Sequence, residues 1–152
     1  MAARLNVMDL APGAYQALRG VETYLRNCGL EYSLLGLVKM RASQINGCAY
    51  CLDMHSRDAR RRGETEQRLY LLNAWRDSPL YSERERAALA WTECLTLVAS
   101  AGAPDADYET LRRHFSSAEI VNLSTAIGMI NCWNRLMISV RGQYRASAPA
   151  AA

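Results

Sequence analysis

The stretch Asn46-Gly-Cys48-Ala-Tyr-Cys51-Leu-Asp-Met-His55 holds the side chains best suited to chemistry in this chain. Cys48 and Cys51 are spaced i, i+3, and Cys51 and His55 are spaced i, i+4. On a helix all three share one face. A cysteine in the first turn of a helix lies near unpaired backbone N–H groups and the positive end of the dipole, which favour the nucleophilic thiolate. An imidazole one turn further on can accept the Cys51 thiol proton or return a proton to a leaving group. The two thiols can also close a local disulfide with little chain movement. A dithiol beside a base is what two-electron reduction of a substrate requires. Helix-end electrostatics favour Cys48 as the attacking thiol, whereas proximity to His55 favours Cys51, and spacing leaves both open.

Other readings of the motif are weaker. Structural zinc usually takes four ligands; Cys48, Cys51 and His55 supply three, and no second C-x-x-C or H-x-x-x-H follows. Attachment of c-type haem needs His directly after the second cysteine, where Leu52 stands. The plainest alternative is two core cysteines with a capping histidine. The remaining cysteines, Cys28, Cys94 and Cys132, are isolated and read as core packing. Trp91, Trp133 and Tyr50 are candidates for a substrate wall. Asn131 and Asn134 lie in an apolar helix and need partners across helices or a subunit interface. His114 reads as a helix-end residue, and Arg57 with Arg60–Arg62 as a solvated helix end.

These side chains need helices to position them. Ala, Leu, Arg and Glu are plentiful, β-branched residues are sparse, and no segment alternates with period two. Pro12 opens a helix to about Asn27, ended by Gly29. A second runs from about Glu31 to Ala42, with Ser43–Gly47 as a break. The motif helix runs from about Gly47 to Arg62, with Gly63 past its end. Further helices span Glu64 to about Trp75, Ser82 to about Ser100 and Asp105 to about His114, Asp105 acting as a cap. Ser82-x-x-Glu85 and Ser116-x-x-Glu119 are capping boxes, and the second opens a long helix with Ile120, Leu123, Ile127 and Ile130 on one stripe. The expectation is an all-α single domain, a bundle of about six to seven helices over residues 1–142, with a disordered Ala-rich tail over 143–152.

Composition narrows the function. The chain has 152 residues, enough for one domain, with 50% hydrophobic and 22% charged residues, which argues against wholesale disorder. A net charge of +3 gives no reason to expect nucleic acid. There is no apolar run long enough for a membrane span and no apolar signal core at the N-terminus. Five cysteines is an odd number for a secreted disulfide scaffold. A reducing, cytoplasmic setting is expected, where a close Cys pair serves catalysis or metal binding rather than stapling.

The run Val38-Lys-Met-Arg-Ala-Ser-Gln-Ile-Asn-Gly-Cys-Ala-Tyr-Cys-Leu-Asp-Met-His55 resembles the core of the alkylhydroperoxidase D-like family of the carboxymuconolactone decarboxylase superfamily. The likeness continues through Gly63–Glu66, Trp75-Arg76, Glu83–Arg86, Ala90–Glu93 and Ile130–Arg135, covering about residues 10 to 140. It implies an all-α fold, homo-oligomers (a trimer or hexamer), and thiol-dependent reduction of hydroperoxides without a cofactor or metal. By the same resemblance Cys51 attacks the peroxide, Cys48 resolves the product to a disulfide, His55 belongs to the proton relay, and a dithiol reductant restores both thiols. One position departs from the family pattern. The relay glutamate expected twelve residues before Cys48 is Gly36 here, leaving Glu93 or Glu31 as possible substitutes. Two alternatives to the peroxidase are a lactone decarboxylase, which needs no dithiol, and a non-catalytic redox-sensing oligomer.

Overall fold

The computed structural model describes residues 2–144, and the described residues form helices and no strands. In chain order the helices are α1 (Val7–Leu10), α2 (Pro12–Arg26), α3 (Tyr32–Asn46), α4 (Ala49–Arg61), α5 (Glu66–Leu71) continued by a 3₁₀ turn (Leu72–Ala74), α6 (Glu83–Thr96), α7 (Val98–Ala101), α8 (Asp105–Arg112) and α9 (Ser117–Val140). The all-α expectation holds. The described helices outnumber the six to seven expected because α1 and α7 are single turns, and Leu97 divides the run that had been read as continuous to Ser100. The tail from residue 145 lies outside the described residues.

α3 is the central helix and packs against α4, α6 and α9. Its sequence is apolar on most faces, as an enclosed helix requires. Leu34, Leu35 and Val38 join a cluster with Trp91, Leu123 and Ile127. Leu37 and Met40 join Leu69, Leu72, Trp75 and Leu89. Ala42 meets Cys48, Cys51 and Ile130. The stripe expected on α9 is buried in full, with Ile120, Leu123, Ile127 and Ile130 each less than one-tenth exposed.

Both capping boxes are formed: Ser82 with Glu85 and Ser116 with Glu119. Three local expectations change. Ser43–Asn46 is not a break but the last turn of α3, because its polar groups find partners inside the protein. Ser43 Oγ donates to the Lys39 carbonyl at 2.7 Å and accepts from Asn134, and Asn46 donates to Asn131 and Asn134, each at 2.9 Å. Asp105 is not a cap but the first residue of α8, with Pro104 in the capping position. Cys132 is exposed rather than in the core, because it lies off the α9 face that carries Ile127, Ile130 and Asn134.

Candidate active site

The turn between α3 and α4 positions the thiol pair. Gly47 adopts φ 67°, a left-handed conformation that favours glycine, and the Cys48 N–H bonds back to the Ser43 carbonyl at 3.0 Å. That closure ends α3 and makes Cys48 the N-cap of α4. Cys48 therefore lies one residue before the first helical turn, slightly earlier than its spacing suggested. Cys51, one turn on, brings its Sγ to 2.9 Å from Cys48 Sγ, within S–H···S hydrogen-bonding distance. Both side chains are almost fully buried, packed by Ala42 and Ile130 and bordered by Tyr50, Trp133 and Met137.

The two thiols differ in acidity. Cys48 is lowered to about 7. The largest cause is the hydrogen bond donated by the Cys51 thiol; burial opposes it; and the backbone N–H groups of Cys51 and Tyr50 with the Asn134 side chain add to it. Cys51 is pushed up, first by that same hydrogen bond to Cys48, then by burial and the neighbouring charge. The pair thus gives up one proton readily and holds the second, with the charge favoured at the N-cap.

Cys51 and His55 form part of the wall of one cavity of about 1000 Å³, and Cys48 lies behind it. Tyr15, Tyr50 and Trp133 contribute aromatic wall, and Glu22 and Lys39 contribute charge. Trp91 is elsewhere, packed in the core and donating to Ser124 at 2.9 Å. The His55 imidazole is depressed to about 4, chiefly by burial and then by the positive charge of Lys39. It is neutral at physiological pH. The i, i+4 spacing brings it to the same cavity as Cys51, and no hydrogen bond joins the two among the described residues.

A pH prediction follows. The rate at which iodoacetamide alkylates Cys48 and Cys51, followed in the peptide map apart from the exposed Cys132, should rise through about pH 7 as the pair loses its first proton. It should show no inflection near 6.5, the ordinary histidine value, because His55 has no proton to lose there. An inflection near 6.5 that disappears in His55→Asn would contradict this assignment.

Neither carboxylate put forward for the relay reaches the cavity. Glu93 is taken up by Arg41, Trp75 and Arg76, and Glu31 by Arg84. Four other carboxylates line the cavity, Asp58, Glu64, Glu85 and Glu22 on α2, and Glu22, which the sequence reading passed over, is the one paired with Lys39. Its only signal there was its place on the inward side of a strongly amphipathic helix. Gly36 also borders the cavity, and a β-carbon added there would meet no atom within 4 Å.

A profile of the carboxymuconolactone decarboxylase family matches residues 11–93, more than half of the chain. The chain belongs to the carboxymuconolactone decarboxylase family. An uncharacterised Bacillus subtilis (strain 168) member, YdfG, is 40% identical over 140 residues, covering 92% of this chain and 95% of its own. The Agrobacterium tumefaciens protein ATU0492, of unknown function and a candidate AhpD antioxidant-defence protein, superposes with a TM-score of 0.93 at 45% identity, covering 96% of this chain and all of its own. The debrominase Bmp8 shares the fold, with a TM-score of 0.79 at 23% identity, covering 91% of this chain and 75% of its own. Family membership is consistent with the all-α fold expected from the sequence. Among the described residues, no helix is long and apolar enough to cross a membrane.

Proposed function

We propose that this carboxymuconolactone decarboxylase family member is a thiol-dependent peroxidase that reduces organic hydroperoxides through Cys48 and Cys51. The observation that carries the reading is the 2.9 Å contact between two reduced sulfurs, one of which borders a cavity of organic-molecule size. Likeness to the candidate antioxidant-defence protein ATU0492 supports the same class of chemistry.

Cys51 is the attacking sulfur because it is the one that borders the cavity. As it attacks, its proton passes to the Cys48 thiolate across the sulfur–sulfur contact, so that Cys48 serves as base before it serves as resolving thiol. The Cys51 thiolate attacks the outer oxygen of ROOH, the O–O bond breaks to expel the alkoxide, and a proton taken up by that alkoxide gives ROH beside Cys51 sulfenic acid. Neutral His55 accepts a hydrogen bond from the incoming hydroperoxide. The Cys48 thiol then attacks the sulfenic sulfur, releasing water and forming the disulfide. An external dithiol reduces it by exchange and is itself oxidised to a disulfide. Assembly into a homo-oligomer, trimer or hexamer, is part of the proposal. It is supported by Leu5, Met8 and Leu10 near the N-terminus and Leu97 and Val98 at the α6–α7 junction, all large, apolar and exposed.

One equivalent of tert-butyl hydroperoxide added to the reduced protein should remove two hydrogens from its mass and place a disulfide between Cys48 and Cys51 in the peptide map. Protein that keeps both thiols under excess hydroperoxide would refute the reading. Turnover of a carboxylated lactone by a variant lacking both cysteines would replace it with decarboxylation.

A further inference from the structure

The cavity that Cys51 borders contains a charged pair that the thiol steps leave unused. Lys39 on α3 is the only lysine in the chain, against 17 arginines. Its Nζ lies 2.5 Å from Glu22 Oε2 on α2, and the two side chains are only 11% and 14% exposed. Withdrawing two charges from water costs several kcal/mol per ion, and their mutual attraction often does no more than cancel that cost. A well-packed apolar pair would serve stability as well. This pair lies instead on the wall shared by Cys51 and His55.

The peroxide step has an unmet requirement at that wall. Cleavage of O–O releases an alkoxide, a far stronger base than water, and a proton must reach it. His55 is ill suited to supply one. Burial and Lys39, with Arg26 acting in the same direction, outweigh Glu22 and Asp58 and keep its ring neutral. An ammonium group facing the same cavity is a far stronger acid than an alcohol and can give its proton to an alkoxide.

We propose that Lys39, oriented by its ion pair with Glu22, is the catalytic proton donor to the alkoxide that leaves when Cys51 attacks a hydroperoxide. The step is Cys51–S⁻ + ROOH + Lys39–NH₃⁺ → Cys51–SOH + ROH + Lys39–NH₂. The proton that Cys51 gave up stays on Cys48, and one from solvent restores the ammonium, so the sum is Cys48–S⁻ + Cys51–SH + ROOH + H⁺ → Cys48–SH + Cys51–SOH + ROH. Glu22 is a positioning residue in this scheme. The inference rests on the peroxidase reading and deepens it.

The test varies the leaving group. Single-turnover oxidation of Cys51 is followed in the full chain with tert-butyl hydroperoxide, which leaves as a strongly basic alkoxide, and with perbenzoic acid, whose benzoate needs no proton. Lys39→Met should slow the first reaction by about 100-fold, the scale of general acid catalysis, and change the second less than about threefold. Glu22→Gln should slow the alkoxide reaction less, and the benzoate reaction not at all. Because Lys39→Met leaves a largely buried carboxylate unpaired, Lys39→Met/Glu22→Gln supplies a neutral pair of similar size and should show the same selective loss. Equal slowing with both oxidants, or none, overturns the role of Lys39. Failure of the unaltered protein to be oxidised by either peroxide overturns the peroxidase reading instead.

Discussion

Replacing Cys51 with serine is expected to end hydroperoxide turnover, while replacing Cys48 with serine is expected to stop the reaction after its first half. The asymmetry follows from position. Cys51 borders the cavity and Cys48 lies behind it, so a hydroperoxide meets the Cys51 sulfur first. In Cys51→Ser the outward group is a hydroxyl, which does not ionise near neutral pH and cannot form a sulfenic acid, and consumption should fall to the uncatalysed background. In Cys48→Ser the Cys51 sulfur still meets the peroxide but loses both its base and its resolving partner. It should oxidise more slowly, stop at the sulfenic acid and be trapped there by dimedone, with no disulfide in the peptide map. Electrostatics make the experiment decisive, since the N-cap position favours charge on Cys48, lowered to about 7. If acidity rather than access selects the nucleophile, the dimedone adduct will appear in Cys51→Ser instead, and the two roles are reversed.

Features decided within a few residues were legible in the sequence. The Ser82–Glu85 and Ser116–Glu119 boxes, Pro12 at a helix start and Gly63 past a helix end each depend on neighbours in the chain. The shared face of Cys51 and His55 follows from helical spacing alone. What escaped was polar chemistry satisfied across helices. Ser43–Asn46 reads as a break because its side chains compete with a helix when no partner is in view. Asn131 and Asn134, more than 80 positions away, supply those partners. Glu22 was passed over for the same reason, since its role is defined by Lys39 on another helix. Gly36 was read as a missing relay group. In the folded chain it borders a cavity already charged from α2 and α3.

The second large effect falls on stability and concerns a carboxylate once considered for the relay. Glu93 on α6 accepts from Arg41 Nε and Trp75 Nε1, each at 2.8 Å, and pairs with Arg76. It ties α6 to α3 and to the segment after α5. The Glu93 and Arg41 side chains are 15% and 13% exposed, so solvent screens the pair little. Glu93→Ala should cost about 3 kcal/mol in a urea titration, because Arg41 and the Trp75 N–H lose their acceptor inside the protein. Arg60→Ala should cost less than about 0.5 kcal/mol, because Arg60 and Glu66 are 57% and 49% exposed. The pH dependence separates two contributions. Burial pushes the Glu93 carboxyl up, but hydrogen bonds from Trp75, Arg76 and Arg41 prevail and hold it below its ordinary 4.5. A group depressed on folding stabilises the protein above its unfolded value, and that stability is lost as pH falls through the folded value. Glu93→Ala should therefore flatten the stability curve below about 4.5. His55 acts in a higher window. Its imidazole binds a proton below 6.5 when unfolded but only near 4 when folded, so the chain loses stability between those values as pH falls. His55→Asn should flatten that interval and leave the lower one to the carboxylates held below their ordinary values, Glu93, Glu85 and Glu119 among them. Parallel curves for Glu93→Ala and the unaltered protein below 4.5 would show that Glu93 does not hold α3 and α6 together through its charge.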